Sequence, residues 1–155
     1  MKNISFLLYN LVLSLWVGGI FIFTFIVTPA IFKSFGRDMA GVIVGKLFPG
    51  YFLYNLILSV LALILFLFYA DIQSRAGYKL IPMLIAAAIA VNVYIKFNLY
   101  PDIVRVKQEI VSFETTPAEH PLRKKFTTLH GVSAALNLIL LADGVIIFVY
   151  PLLKK

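Results

Sequence analysis

Four long apolar runs, almost free of charged residues, constrain this chain more than any other feature of its sequence. They lie at about residues 4–28, 51–70, 80–100 and 129–150. An α-helix of about 20 apolar residues crosses the hydrocarbon core of a bilayer, and in lipid its backbone groups are hydrogen-bonded within the helix. We therefore predict an all-α integral membrane protein, in which residues 1–155 form a single transmembrane domain, a bundle of four antiparallel helices.

The composition supports this class of protein and excludes several functions. Hydrophobic residues make up 61% of the chain and charged residues only 14%, whereas about a quarter of a soluble domain is charged. The absence of cysteine excludes disulfides, zinc fingers, iron–sulfur clusters and thiol nucleophiles. The net charge of +7 comes from basic residues that flank the apolar runs, as membrane-surface signals do. The expected partner is the lipid bilayer, and no nucleic-acid partner is predicted.

The segments between the runs carry most of the charge. Pro29 is predicted to end the first helix, and Pro101 to open an amphipathic helix kinked away from the third. The mixed segment after Pro29 is too short and too charged to span a bilayer, so we predict a short interfacial helix within residues 34–48. It contains Gly41-x-x-x-Gly45, a spacing that permits close approach of another helix.

The basic residues also predict an orientation. Four spans put both termini on one side, together with the short turn at residues 71–79. Five basic residues lie on that side: Lys2, Arg75, Lys79, Lys154 and Lys155. Nine lie toward the other side: Lys33, Arg37, Lys46, Lys96, Arg105, Lys107, Arg123, Lys124 and Lys125. We predict that the protein lies in the cell membrane, and the positive-inside rule predicts that its long loops are in the cytoplasm.

Polar residues on the helix faces indicate a candidate ligand site. His130, Ser133 and Asn137 recur at helical spacing, and Asn55, Asn92 and Lys96 lie on polar stripes of the second and third runs. At ~1.5 Å per residue, the distances from the bilayer middle are ~3–4 Å for Asn92 and Asn137, ~8–9 Å for Asn55 and Lys96, and ~14 Å for His130. All five lie in the half near the long loops. We predict that they share one intramembrane cavity.

A simpler interpretation stands beside that prediction at every position. The asparagines are equally explained as interhelical hydrogen-bonding groups, each pair contributing ~0.6 kcal/mol on average. Lys96 alone can extend to the headgroups. Asp143 is separate, ~5 Å beyond the middle toward the termini, and is expected to be either protonated or functionally placed.

Signatures of an enzyme are sparse, so the sequence leaves open whether this protein is one. No carboxylate pair is evident, and no serine is convincingly paired with a base. Met1, Met39 and Met83 are isolated, which disfavours copper, and no metal site is predicted. The cofactor is unknown; a haem held by His130 is left open, with Lys96 or a tyrosine as its second partner.

Several motifs resemble a known family. They are Trp16-x-Gly18, Pro29-x-x-Phe32, Ala40-Gly41-x-x-x-Gly45-x-x-Phe48-Pro49 and Phe126-x-x-Leu129-His130-Gly131-x-Ser133-x-x-x-Asn137. Together they look like the uncharacterised family related to eukaryotic transmembrane protein 205, which is distantly similar to copper-resistance D proteins and to the membrane protoporphyrinogen oxidase that binds haem. The resemblance implies a four-helix bundle and leaves the function open. The first three runs contain no histidine, which argues against a haem-oxidase role.

The residues support two functions. The first is a bundle that binds a small ligand or cofactor in a polar intramembrane cavity, with transport or redox chemistry included. The second is a structural or accessory subunit of a larger membrane complex, which would associate with other membrane proteins or with copies of itself. The polar residues favour the first function, and the GxxxG segment favours the second.

Overall fold

The computed structural model describes residues 2–69 and 79–153, so the predicted turn at 71–79 falls outside it except for Lys79. These residues form helices and no strand. The elements are α1 (Lys2–Ile22), a π-helical turn (Phe23–Val27), α2 (Thr28–Ser34), α3 (Arg37–Tyr69), α4 (Leu80–Tyr94), a second π-helical turn (Ile95–Leu99), α5 (Tyr100–Gln108) and α6 (Pro121–Leu153).

Four helical units are long and apolar enough to cross a membrane, which confirms the predicted all-α four-helix fold. They are Ile4–Ser34, Arg37–Phe68, Leu80–Gln108 and Pro121–Pro151, and we call them spans one to four. Span one joins α1 to α2, span two is α3, span three joins α4 to α5, and span four is α6.

Two prolines fall inside spans instead of ending them. A proline has no N–H to donate, and in a regular helix its ring clashes with the carbonyl four residues earlier. Each of these prolines, Pro29 and Pro101, follows a wider π-helical turn that ends two residues before it. The N–H of Thr28 bonds to the carbonyl of Phe23, and that of Tyr100 to the carbonyl of Ile95, each five residues back. Span one therefore continues to Ser34, and α5 continues span three, contrary to both expectations from the prolines.

The prediction of a separate interfacial helix within residues 34–48 is wrong. The chain turns only at Phe35 and Gly36, where Phe35 has extended backbone (φ −130°, ψ 154°). From Arg37 the helix α3 runs unbroken through Pro49 to Tyr69. The charges that argued against a membrane span lie on the part of this helix that extends past the hydrocarbon, where water and headgroups accept them.

Every span is longer than the hydrocarbon core requires. The spans contain 29 to 32 residues. At ~1.5 Å per residue they measure about 45 Å, whereas the hydrocarbon core is about 30 Å thick. The charged residues lie near the connections at Phe35–Gly36 and 109–120, so the extra length is on that side. We call that part of the bundle the long-loop half and the other part the termini half.

The spans form a closed ring in which each packs against two neighbours, in the order one, two, three, four and back to one. Specific contacts set the antiparallel registers. Tyr9 and Phe66 place their ring centroids 5.7 Å apart between spans one and two. A Cβ added to Gly144 would lie 2.7 Å from Cγ2 of Val17, so the span four backbone packs directly on span one.

The core of the ring is apolar toward the termini and partly polar in its middle. Its largest fully buried residues are Trp16, Leu13, Ile20, Ile81, Ile85, Ile95, Leu140, Ile147, Asn55, Asn92 and Ser59. Three of these eleven are polar and lie on spans two and three, as the stripes in the sequence predicted. Large apolar residues also cover the outer faces of all four spans, as expected for helices surrounded by lipid.

Candidate functional site

One predicted residue, Asn137, is the centre of a hydrogen-bonded bridge across the bundle. The Tyr51 hydroxyl donates to Asn137 Oδ1 at 2.5 Å, and Asn137 Nδ2 donates to Thr24 Oγ1 at 2.7 Å. Spans two and four are diagonal in the ring, so this bridge ties opposite helices together. Thr24 lies in the first π-helical turn, where the wider backbone displaces it from a regular helical position.

The other two predicted asparagines are buried in the core, but they differ in their hydrogen bonds. Asn92 donates through Nδ2 to the carbonyl of Ala88 in its own helix at 3.0 Å. Asn55 is only 1% exposed, and neither its Nδ2 nor its Oδ1 has a hydrogen-bond partner among the described residues. It lies one turn from Tyr51 on the same face and is an electrostatic neighbour of that hydroxyl, without hydrogen-bond geometry. Of these three asparagines, Asn137 is therefore the one with hydrogen bonds to other spans among the described residues.

The two predicted ionisable residues lie apart from these asparagines. The ring of His130 stacks on Phe126, with centroids 5.7 Å apart and planes 5° from parallel, and it lines a groove in the long-loop half. Lys96 lies in the second π-helical turn, with its ammonium 5.6 Å from the ring centroid of Phe97. Neither Lys96 nor any of the three asparagines lines that groove. The five residues thus occupy two places, and their shared role in ligand binding stays a prediction.

The groove, which we call the long-loop pocket, has a volume of about 680 Å³. Ligand pockets commonly measure about 300–1,000 Å³. Its charged lining consists of four basic residues and one acidic residue, namely Arg37, Lys46, Lys107, Arg123 and Asp38. Its apolar lining includes Phe32, Val44, Phe48, Ile103, Phe113 and Phe126. The pocket therefore combines apolar walls with a basic lining at the depth of the headgroups.

Lys107 lies at the centre of this pocket against bare backbone. Its ammonium donates to the carbonyl of Gly41. A Cβ added to Gly41 or Gly45 would lie 3.4 Å or 3.3 Å from Lys107 Nζ. The GxxxG pair is thus the surface on which a lysine of the same chain rests, and it is not a free surface for a partner helix. Tyr100 packs beside it, with its hydroxyl donating to the carbonyl of Gly45 at 3.0 Å.

The long loop is attached to the pocket by two charged residues. Asp38 accepts from Ser112 Oγ and from the N–H of Phe113, both at 2.6 Å. Arg123 donates through one nitrogen to the carbonyls of Phe113 and Thr116, both at 2.7 Å. Hydrogen bonds to charged groups are the stronger ones in proteins. The loop therefore forms an ordered wall of the pocket.

Sequence reasoning missed Lys107 and Tyr51. Lys107 was counted only as an orientation charge, although it follows the apolar residues Ile103 and Val106 on an amphipathic helix. The available signals were that amphipathic position and, elsewhere in the chain, the small-residue pair Gly41-x-x-x-Gly45, which permits close approach. Tyr51 gave no signal, because one tyrosine at the start of an apolar run is common at membrane interfaces.

The described residues do not fit a haem held between His130 and Lys96. The Lys96 ammonium lies over Phe97 and outside the pocket that His130 lines. Tyr100 shares that pocket with His130, but its hydroxyl is bonded to Gly45. Over residues 2–69 and 79–153, no three His, Cys, Asp or Glu residues cluster as a metal site would require.

The apolar spans and their ring packing define the class: a multi-pass helical membrane protein. The chain belongs to the family described as a domain of unknown function, DUF4149, whose model matches residues 11–112. This confirms an uncharacterised family, but it shows no relation to transmembrane protein 205 or to copper-resistance D proteins. No curated protein and no solved structure matches the chain.

Proposed function

We propose that this protein binds an anionic amphiphile, such as an acidic phospholipid or a fatty acid, in the long-loop pocket. The observation that carries the proposal is the position of Lys107, whose ammonium rests on the glycine backbone between aromatic walls. The headgroup or carboxylate would meet the ammonium, and the acyl chain would lie along the apolar walls.

The charge balance of the pocket supports an anionic ligand. Four basic residues line it and only one acid, Asp38, whose carboxylate is already bonded to Ser112 and Phe113. The bare backbone at Gly41 and Gly45 lets the Lys107 ammonium lie close against the helix in the wall of the pocket. A basic residue near an anionic membrane surface contributes about 1 kcal/mol of attraction.

The depth of the pocket supports an amphiphile in place of a water-soluble anion. Its residues lie at the ends of spans that extend past the hydrocarbon core, and Phe48 and Phe126 border it on the membrane side. Under the positive-inside rule the long-loop half faces the cytoplasm of the cell membrane. The ligand would then enter from the cytoplasmic leaflet.

The alternative function, a structural or accessory subunit, has lost its main support from the sequence. The GxxxG pair that suggested a partner helix is occupied by Lys107 and Tyr100 of the same chain. We therefore favour ligand binding, with a partner subunit as the outcome to expect if no amphiphile binds.

The test is a binding titration on the purified protein in phosphatidylcholine nanodiscs. Oleate and phosphatidylglycerol should bind, and native mass spectrometry should find them at one per protein. Lys107→Met keeps the length of the side chain and removes its charge, so the affinity should fall about fivefold or more, as expected for about 1 kcal/mol.

The matched control is Lys125→Met, because Lys125 is exposed and does not line the pocket. The Lys125→Met variant should bind oleate and phosphatidylglycerol with the same affinity as the unmodified protein. Equal losses in both variants would mean nonspecific attraction to basic residues. No binding in the unmodified protein, with constant amounts of another protein co-purifying, would support the subunit function instead.

A further inference from the structure

A second polar site lies deeper in the bundle, on the termini side of the Tyr51–Asn137 bridge. Three side chains there have buried polar atoms without a hydrogen-bond partner among the described residues: Trp16 Nε1, both amide atoms of Asn55, and Asp143 Oδ2. They come from spans one, two and four. Unpartnered polar atoms in a membrane interior are costly, so three from separate helices call for a common explanation.

The registers of the spans put these groups at nearly one depth. Tyr9 pairs with Phe66, so continuing the antiparallel pairing places Trp16 level with Ser59 and about 6 Å from the level of Asn55. Val17 pairs with Gly144, which places Asp143 about 3 Å from the level of Trp16.

The three side chains also face the same interior. Trp16 is 0% exposed and Asn55 is 1% exposed, and the half-buried Asp143 lies between the buried residues Leu140 and Ile147 in the sequence of span four, with its Oδ2 atom buried. Axes of packed helices are about 8–10 Å apart. Side chains that enter the core from neighbouring helices at one depth are therefore within reach of one or two bridging water molecules.

The unpartnered atoms match water in their chemistry. The indole N–H donates only, the Asn55 amide both donates and accepts, and the carboxyl oxygen of Asp143 accepts when it is ionised. A metal cation would satisfy the two oxygens and leave both N–H groups unpaired. A water molecule accepts from an N–H and donates to an oxygen, and buried waters make about three such bonds.

Few other titratable groups surround Asp143. Span one has no charged residue between Lys2 and Lys33, and span two has none between Lys46 and Asp71. From span three, the first charged residue along the chain is Lys96, which lies in the second π-helical turn, nearer the long loops. The phenols of Tyr9 and Tyr51 enter the core from spans one and two, and the phenol of Tyr54 lies between these spans and donates to the carbonyl of Leu15. A carboxylate at Asp143 thus has no cation at its own level, which favours a proton on it.

We propose that Trp16, Asn55 and Asp143 hold a small cluster of buried water through which Asp143 binds and releases a proton. On binding, an O–H bond forms at the carboxylate while a protonated cluster water loses its proton. That water regains a proton from bulk solvent, and the Tyr51 hydroxyl lies between the cluster and the long-loop pocket. The site does not depend on ligand binding in that pocket.

The chain carries its own probe of this site, because Trp16 is the only tryptophan. The experiment records Trp16 fluorescence of the full-length protein in nanodiscs across a wide pH range at constant ionic strength. The emission should lie to the red of an indole in dry hydrocarbon and should change in a single titration. Asp143→Asn should keep the red-shifted emission and lose the titration completely.

Asp102→Asn is the matched control, because Asp102 is an exposed aspartate paired with Arg105 outside the core. It should titrate like the unmodified protein. Dry-hydrocarbon emission without any pH response would overturn the proposal. So would a titration that persists in Asp143→Asn, or an emission change on adding sodium at fixed pH, which would assign a metal cation to the carboxyl.

Asn55→Leu tests the water independently of the proton. If water occupies the site, this variant should shift the Trp16 emission to the blue and unfold at a lower temperature, because the cluster loses two partners. If the amide is dry and unpartnered, replacing it with an apolar side chain of similar size should stabilise the protein. A rise in the unfolding temperature without an emission shift would therefore refute the cluster.

Discussion

The two halves of the bundle, divided at the bridge between Tyr51 and Asn137, are built differently. The long-loop half contains both π-helical turns, the two prolines that follow them and the long-loop pocket. The termini half has regular helices whose core residues Leu13, Ile81, Ile85 and Ile147 are at most 1% exposed. Proline and a widened turn leave space between helices, whereas branched aliphatic residues on regular helices fill it.

This difference bears on how the protein works. Between the long-loop pocket and the termini half lie the Tyr51–Asn137 bridge and, beside it, a layer of aromatic rings. Tyr51 stacks on Phe23 with centroids 4.1 Å apart, and Phe52 packs against Tyr100 at 5.3 Å. Below this layer, apolar side chains make up most of the core of the termini half and surround the buried polar atoms of Trp16, Asn55 and Asp143. The asymmetry suits a protein that binds from one side better than an open channel.

The largest expected effect is a difference in stability between substitutions at two glycines of α6, Gly144 in the termini half and Gly131 in the long-loop half. A Cβ on Gly144 would lie 2.7 Å from Val17, whereas one on Gly131 meets nothing within 4 Å. Gly144→Leu should therefore lower the free energy of unfolding by about 2–3 kcal/mol, because spans one and four can no longer touch. Gly131→Leu should change it little or raise it by up to about 1 kcal/mol through helix propensity.

Thermal unfolding in detergent, followed by circular dichroism, measures both glycine variants. Equal destabilisation by Gly144→Leu and Gly131→Leu would show that the helices are packed equally closely in both halves, contrary to the difference described above.

A smaller effect is expected at the boundary between the halves. Tyr51→Phe removes the hydroxyl that bonds to Asn137 Oδ1. Hydrogen bonds between membrane helices contribute ~0.6 kcal/mol on average and up to ~1.7 kcal/mol, so the loss should be about 1 kcal/mol. Tyr94→Phe is the control, since Tyr94 is exposed to the lipid side.

A double-mutant cycle with Asn137→Leu isolates the bridge. Once Asn137 is replaced, Tyr51→Phe should cost almost nothing. A cost that is the same with and without Asn137 would mean that the two residues act independently and that their hydrogen bond does not stabilise the packing of spans two and four.

The third prediction concerns sidedness and carries no stability change. The chain has no cysteine, so single cysteines report cleanly on exposure. Lys79→Cys in the termini half and Lys124→Cys in the long-loop half should react with an impermeant thiol reagent from opposite sides of the membrane, Lys124→Cys from the cytoplasm. Ser59→Cys, fully buried, should react only after unfolding. Labelling of both lysine positions from one side would contradict the four-span topology.

Part of the candidate site was predictable from residue types alone. Asn55, Asn92 and Asn137 were recognised because polar residues at helical spacing within apolar runs face other helices. Their partners were not predictable, because a hydrogen bond such as that from Tyr51 to Asn137 joins residues 86 positions apart. His130 and Lys96 have similar depths in the sequence estimate, yet depth does not specify which side of a helix ring a side chain enters.

The sequence by itself determined the class, the number of spans and the location of the charge. These follow from local properties, since twenty apolar residues insert as a helix whatever their neighbours are. The tertiary structure decided the rest: the helices continue past Pro29 and Pro101, Lys107 rests on Gly41 and Gly45, and Asn55 is left without a partner. The contact of Lys107 with the two glycines and the burial of Asn55 depend on the rotation and register of one helix against another, which no single segment encodes.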